Sequence, residues 1–298
     1  GLEECGLYPK AEEVGMRALE HNARDVWALH AVVHTHEMRG RIQTGLRLLD
    51  ERRADWTAGN VLVVHNSWHE ALLLLDAGEV GRALDIYDTT VHHAGSAKVA
   101  LEMLDAAALL WRLHLDGADA GGRWKVLAEA WAEKLDLPWY VFNDMHAVMS
   151  FVGAGRLEDA RALVDRLAVY VASGPRPSVA NVAMTAEVGL PVCSAIVAFG
   201  EARYGDVVEL LHPIRNIVHR FGGSHAQRDA IARTLFEAAI RAGEADLAFA
   251  LASERLAVKE ASPYTWRQLA RIRRTTGETT AAAVADIKAK NLRASAAA

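Results

Sequence analysis

Several features that mark particular protein classes are scarce or missing in this 298-residue chain. It has only two cysteines, Cys5 and Cys193, which excludes a disulfide framework or a cysteine-based zinc site and fits a reducing cytoplasm. No stretch concentrates lysine and arginine as a nucleic-acid footprint would, and the formal net charge is −5. No apolar run reaches the length of a membrane span, and the N-terminus lacks a signal-like segment. The sequence therefore predicts a cytoplasmic protein that binds neither nucleic acid nor membrane.

Proline is also scarce, with seven residues, whereas alanine, leucine and arginine are abundant. This composition favours helix along the whole chain. The chain is 51% hydrophobic and 24% charged, which is a globular balance, and its length allows a substantial core.

A helix, a glycine turn and a second amphipathic helix recur along the chain, with turns at Gly40, Gly78, Gly155, Gly205 and Gly243. Two neighbouring turns lie 38 residues apart at the start of the series and two more at its end (40 to 78, 205 to 243). A period of about 34–40 residues built from helix pairs is typical of tetratricopeptide-like solenoids. One helix pair cannot bury its apolar face, so stacked neighbours must supply a continuous core.

The sequence therefore predicts an all-α, tetratricopeptide-like helical-repeat superhelix of about six helix pairs, without a sheet. We expect first helices near 25–39, 60–77, 98–116, 139–153, 182–203 and 227–242, and partner helices near 41–53, 79–93, 122–135, 156–172, 205–220 and 244–257. The loop SGPRPSVAN (173–181) interrupts the series. We expect one repeat domain over 1–298, forming the C-terminal part of a longer chain, with 275–298 as a weakly amphipathic tail.

Six segments carry a resemblance to a known family: HTHEMRGR, VVHNSWHEALLLLDAGEVGRALDIYD, MLDAAALLWRLHLDG, FNDMHA, GLPVC and FGGSHAQRD. Together they resemble the tetratricopeptide repeat protein 38 family, from about Ala11 to Arg267. The resemblance implies an all-helical repeat fold and a longer parent protein with further helices before Gly1. It supplies neither a reaction nor catalytic residues, so chemistry has to be argued from a site.

Two His-x-x-x-His pairs occupy equivalent places on consecutive first helices. His30 and His34 recur 35 residues later as His65 and His69, and Glu37 lies three residues after His34. Positions i, i+4 and i+7 of a helix share one face. Because first helices line the concave groove of such a solenoid, we expect the four imidazoles to approach one another there.

The segment FNDMHA adds Asp144 and His146, which we expect to reach the same cavity. Three interpretations of this polar face are open. The imidazoles could hold a divalent metal, could pair with carboxylates for acid–base chemistry, or could be packing residues that hydrogen-bond across helices. Neither His pair matches His-Glu-x-x-His. The sequence assigns no metal ligand, no catalytic residue and no cofactor.

The segment FGGSHAQRD is a second candidate site. Ser224 can cap the helix that follows, and backbone N–H groups at that helix start could hold an anion. Helix capping alone is the alternative interpretation, but it leaves His225, Gln227, Arg228 and Asp229 in one turn without a role. We therefore count these four residues as candidates for a ligand pocket.

Four tryptophans lie on apolar helical faces: Trp27, Trp68, Trp111 and Trp124. We expect them to be mostly core residues, although some could wall the groove, where an indole N–H finds a polar partner. Trp111 is expected where successive first helices pack.

Two functions remain open at this point. The favoured one is a binding module that holds a small molecule or peptide in a histidine-rich groove, with no chemistry. The alternative is an enzyme that uses the histidine and carboxylate residues for acid–base or metal-assisted chemistry on a small molecule. A homo-oligomer is compatible with either.

Overall fold

The computed structural model of the chain describes residues 1–134, 140–174 and 180–297. Over these residues the protein is helical, and no strand occurs among them. In chain order the helices are α1 (Tyr8–His21), α2 (Val26–Met38), α3 (Ile42–Glu51), α4 (Arg53–Trp56), α5 (Val63–Ala77), α6 (Val80–Ile86), α7 (Ala100–Leu115), α8 (Arg123–Ala132), α9 (Val141–Gly153), α10 (Leu157–Ala172), α11 (Ala180–Met184), α12 (Leu190–Gly200), α13 (Tyr204–Leu211), α14 (His225–Ala242), α15 (Ala245–Val258), α16 (Pro263–Thr275) and α17 (Thr279–Ala297). The π-helical turns Tyr87–Val91 and Thr185–Gly189 follow α6 and α11, and Val218–Phe221 is a 3₁₀ turn.

The helices form two compact units. Unit 1 joins Gly1–Val91 with the stretch from Ala245 onward, and unit 2 is His92–Glu244. The all-helical prediction is confirmed. The expectation of one repeat domain over the whole chain stays a prediction.

In unit 1, helix α2 packs on α1, α3 and α5, and α5 packs on α6. Leucine, valine and isoleucine side chains at three- and four-residue spacing supply the core between them, with Trp56 and Leu49 fully buried. The indole N–H of Trp56 donates to the carbonyl of Leu49 at 2.8 Å, so this large ring is buried without stranding its polar atom. The same core includes Val32 of α2 and Leu73 of α5, which pack side by side.

The C-terminal stretch forms a further helix pair, α16 and α17, beyond the six that the sequence predicts. Helix α17 also packs on α3 and α5, and it buries Ala282, Ala285 and Ala289. The predicted weak amphipathicity has a physical reason, because a buried face made of alanine differs little in hydropathy from the rest of the helix.

In unit 2, α7 packs on α8, α9 and α14, while α9 packs on α10 and α12. Trp111 and Phe199 are buried here with ring centroids 5.7 Å apart. The prediction that most tryptophans are core residues is confirmed for Trp68, Trp111 and Trp124. It is wrong for Trp27, which is 62% exposed because it lies in the first turn of α2, before the buried residues begin at Leu29.

Four of the five predicted turn glycines adopt the left-handed backbone conformation, with φ of +67° at Gly40, +89° at Gly78, +72° at Gly155 and +78° at Gly243. The prediction for Gly205 is wrong. Gly205 lies inside α13, and Ala202 takes the left-handed position instead, with φ of +58°. A glycine near a helix boundary does not by itself identify which residue makes the turn.

Helix α13 is shorter than the predicted 205–220, because it ends at Leu211. Pro213 accounts for the early end, since proline lacks the amide donor and disfavours helix at the preceding residue. Part of the predicted loop 173–181 and the ends of the predicted helices at 135 and 139 lie outside the described residues.

The stretch Ala180–Gly200 is long and apolar enough to cross a membrane by length and composition, with a mean hydropathy of 1.8. The expectation that no apolar run reaches this length therefore fails for this stretch. Because 61% of it is buried inside the protein, it equally fits the core helix of a soluble protein. The absence of membrane contact stays a prediction.

Candidate functional site

Four histidines of unit 1 form one group, the histidine cluster, which consists of His30 and His34 on α2 and His65 and His69 on α5. Its ligand atoms all lie within 4.8 Å of one another. The ring centroids of His34 and His69 are 4.2 Å apart, and those of His30 and His65 are 4.8 Å apart. The expectation that the two His-x-x-x-His pairs meet is thus confirmed by the geometry.

Helix geometry explains the meeting. Each pair is spaced i, i+4, so both imidazoles of a pair leave the same face of their helix one turn apart. The turn at Gly40 and the short helices α3 and α4 return the chain so that α5 lies against α2. Two turns of α2 then face two turns of α5, and the four rings interleave.

Burial controls the charge of the histidine cluster. His34, His65 and His69 are 2%, 8% and 0% exposed, while His30 is half-buried at the edge. Burial, and after it the neighbouring His34 and His65, lowers the pKa of His30 to about 2. His30 is therefore neutral at physiological pH and keeps a nitrogen lone pair. Its Nε2 lies 3.2 Å from Nε2 of His69.

Two buried carboxylates lie at the outer nitrogens of the histidine cluster. Oε2 of Glu37 accepts a hydrogen bond from Nδ1 of His69 at 2.8 Å. Oε1 of Glu3, in the segment before α1, lies 3.6 Å from Nδ1 of His34. The hydrogen bond to Glu37 orients the ring of His69, whereas the contact of Glu3 with His34 is longer than a hydrogen bond.

Neighbouring residues hold the histidine cluster in place without belonging to it. Trp68 stacks on His65, with centroids 5.2 Å apart and planes at 18°. Glu70 accepts two hydrogen bonds from the Arg53 guanidinium, at 2.6 and 3.2 Å. The exposed Trp27 meets His30 edge-on at 6.2 Å. Trp27 and His30 therefore lie on the side of the histidine cluster nearest to solvent.

Asp144 and His146 lie on α9 in unit 2. Both are buried, and neither Oδ2 of Asp144 nor Nε2 of His146 has a hydrogen-bond partner within the described part of the chain. Nδ1 of His146 donates to the carbonyl of Phe142 at 2.7 Å. Burial lowers the pKa of His146 to about 4. Because these two residues belong to unit 2, their predicted meeting with the histidine cluster stays a prediction.

The segment FGGSHAQRD forms the start of α14 in unit 2. Ser224 and Gln227 make reciprocal hydrogen bonds between side chain and backbone, which is a capping box. Arg228 donates to the carbonyl of Gly223, Asp229 pairs with Arg233 at 2.7 Å, and His225 is partly buried. These local partners support the capping interpretation for Gln227, Arg228 and Asp229. An anion site here stays a prediction.

Sequence reasoning missed Glu3. It lies 31 residues before His34 in the chain, and no helical spacing links the two (3 to 34). The capping box at Ser224 could have been found from the pattern Ser-x-x-Gln at the start of a helix.

Comparison of the chain with known protein families finds no matching family model.

Asp144 provides a test of buried charge in unit 2. Burial raises the pKa of Asp144 to about 7, and the nearby Arg166 opposes this rise. Burial, and after it the Asp144 carboxylate, also raises the pKa of the Cys193 thiol. The folded-state pKa of Asp144 exceeds the ordinary value of 3.8, so the folded chain holds this proton more tightly than the unfolded chain. The resulting stabilisation is fully present below that ordinary value and is lost as the pH rises towards 7.

We expect Asp144→Asn to remove this pH dependence. Between pH 5 and 7 the wild type should lose about 2 kcal/mol of unfolding free energy relative to the variant. Urea unfolding at pH 5, 6 and 7 measures the difference, and the exposed Asp85→Asn is the matched control. A constant gap between Asp144→Asn and wild type across this range would contradict the expectation.

Proposed function

We propose that this protein is a tetratricopeptide-like helical-repeat protein, similar to the tetratricopeptide repeat protein 38 family, that binds a small ligand at the histidine cluster. The observation that carries the proposal is the convergence of four imidazoles from two helices on one point, with ligand atoms within 4.8 Å. Histidines that were buried only by chance would not need to occupy equivalent positions on successive helices.

The helix pattern of unit 1 supports the repeat. Helices α2 and α5 each end near a left-handed glycine, Gly40 and Gly78, which lie 38 residues apart and lead into α3 and α6. Each histidine of the pair on α2 is followed 35 residues later by a histidine on α5 (30 to 65, 34 to 69). Two copies of one supersecondary unit stacked side by side would have these properties.

Burial favours a small ligand over a peptide. Three of the four imidazoles are less than 10% exposed, so an extended chain could not reach them. The exposed Trp27 and the half-buried His30 are the parts of this region that solvent reaches most. A partner peptide in an open groove would need a longer accessible face.

The second candidate is an enzyme, and the Glu37–His69 hydrogen bond is the observation that favours it. A buried imidazole paired with a carboxylate is the arrangement used in general acid–base catalysis. However, the Nε2 atom through which His69 would act already faces Nε2 of His30 at 3.2 Å. Binding without turnover therefore accounts better for the arrangement.

Native mass spectrometry of the purified protein tests the proposal. We expect the wild type to carry a bound species that persists on incubation, and we expect His30→Ala to have lost it. Because His30 is half-buried, this variant should still fold. His21→Ala, an exposed histidine of α1, is the matched control and should keep the species. The proposal is contradicted if none of the three proteins carries a bound species, or if all three carry the same one, whereas release of a chemically altered species over time would favour the enzyme.

Three further expectations belong to this proposal. The two cysteines are free, which agrees with a reducing cytoplasm as the place of action. The acidic balance, with a net charge of −5, favours neither nucleic acid nor an anionic membrane as the partner. A homo-oligomer is compatible with the small-ligand site.

A further inference from the structure

We propose that the histidine cluster binds one divalent transition-metal ion of the zinc class, with all four imidazoles as ligands. This inference rests on the proposed function, because it names the ligand of the same site. The sequence alone assigned no metal ligand, because the same histidine pairs also fit an internal network of packing residues.

Spacing is the first argument. In a tetrahedral zinc site with Zn–N bonds of about 2.0–2.1 Å, neighbouring nitrogens lie about 3.3 Å apart. The Nε2 atoms of His30 and His69 are 3.2 Å apart, and no pair of ligand atoms in the cluster exceeds 4.8 Å. Small rotations of the imidazole rings would bring the more widely spaced ligand atoms to the distance of about 3.3 Å that a tetrahedral site needs. Pairs spaced i, i+4 on a helix are also an established way of presenting two imidazoles to one ion.

Orientation is the second argument. Imidazoles that bind metals almost always donate their other ring N–H to a carboxylate or carbonyl, which fixes the ring and raises its basicity. Glu37 has this relation to His69 at 2.8 Å, and Glu3 stands 3.6 Å from the corresponding nitrogen of His34. One ring on each helix therefore has a buried carboxylate near its Nδ1, and Nε2 of His69 lies 3.2 Å from Nε2 of His30.

Charge balance is the third argument. A doubly charged ion among neutral imidazoles would be costly to bury unless compensating charges lay nearby. Glu3 and Glu37 are 6% and 8% exposed and contact ligand rings directly. The two negative charges would offset the charge of one divalent cation, so a divalent ion suits this buried site better than a monovalent one.

The donor set decides the class of metal. Imidazole nitrogens suit Zn²⁺, Co²⁺, Ni²⁺ and Cu²⁺, whereas Mg²⁺ and Ca²⁺ require oxygen ligands. Four protein ligands also fill a tetrahedral shell, which is the arrangement of sites that hold their ion rather than activate water on it. The site therefore ties α2 to α5 and includes the segment before α1 through Glu3.

Titration with Co²⁺ tests this inference, because a tetrahedral Co²⁺ complex absorbs visible light strongly. Protein treated with a chelator should bind one Co²⁺ per chain with that absorption, and Zn²⁺ should displace it. Glu37→Gln removes only the carboxylate behind a ligand and should weaken Co²⁺ binding by roughly 10–100-fold. His30→Ala removes a ligand itself and should weaken Co²⁺ binding by more than that. The control His21→Ala should bind like wild type.

The inference is overturned if wild type binds no stoichiometric Co²⁺, or if His30→Ala and His21→Ala bind it equally well. Circular dichroism of each variant shows that the helices are intact, and the half-buried position of His30 keeps this comparison valid if the more deeply buried variants do not fold. A chain that binds no metal but retains a cluster-dependent species in native mass spectrometry would overturn this inference alone. Loss of both signals would overturn the proposed function as well.

Discussion

Replacing Trp111 by alanine should destabilise the protein by about 3–5 kcal/mol, which is the cost of deleting a fully buried tryptophan. Trp111 is 0% exposed, stacks on His114 at 5.0 Å and meets Phe199 edge-on. Its indole N–H donates to Oγ1 of Thr234 at 2.8 Å. Alanine would leave a cavity in unit 2 between α7 and α14 and would remove the donor from that hydroxyl.

Trp27→Ala is the matched control, because Trp27 was expected in the core on the same sequence grounds but is 62% exposed. We expect it to cost less than about 0.5 kcal/mol. Trp111→Phe keeps most of the apolar volume and should cost about 1–2 kcal/mol, chiefly from the lost hydrogen bond. Chemical denaturation of the three variants measures these differences. Equal losses for Trp111→Ala and Trp27→Ala would contradict the described core.

Gly40→Ala should destabilise the protein by about 2–4 kcal/mol, which combines backbone strain with overpacking. Gly40 has φ of +67°, a conformation that disfavours any residue with a Cβ. An added Cβ would also lie 2.8 Å from the carbonyl oxygen of Ala261 and 3.1 Å from its carbonyl carbon. These are backbone atoms, so a rotamer change cannot relieve the contact.

Gly277→Ala separates the two effects. Gly277 is also left-handed, with φ of +82°, but an added Cβ there would meet nothing within 4 Å. We expect only the strain, about 1–2 kcal/mol. Thermal unfolding of both variants should therefore show the larger loss for Gly40→Ala. A smaller loss at Gly40 than at Gly277 would contradict the close approach to Ala261.

The sequence was informative about the fold wherever a local rule applied. Helices α2, α5, α7 and α10 lie within a few residues of their predicted ranges, because amphipathic periodicity reports directly on which face is buried. The sequence was less informative where the fold as a whole determines the local conformation. It predicted a left-handed turn at Gly205, but Ala202 takes that conformation.

The candidate site was predictable in part for the same reason. The offset of 35 residues predicts that the two histidine pairs occupy equivalent points of neighbouring helices, and the four rings do meet. Glu3 could not be found this way, because its contact with His34 depends on the fold of the segment before α1. The exposure of Trp27 was missed because it lies in the first turn of α2, before the buried residues begin at Leu29, and periodicity does not report where burial starts.

X-ray absorption spectroscopy of the protein carrying one equivalent of Zn²⁺ tests the central claim most directly, because it counts the ligands and gives their distances. If the histidine cluster holds the ion as described, the spectrum should show four nitrogen ligands at about 2.0–2.1 Å with the outer-shell scattering of imidazole rings. In His30→Ala, one imidazole should be lost. A first shell made mainly of oxygen, or a wild-type spectrum with fewer than three imidazoles, would contradict the assignment of the histidine cluster as a metal site.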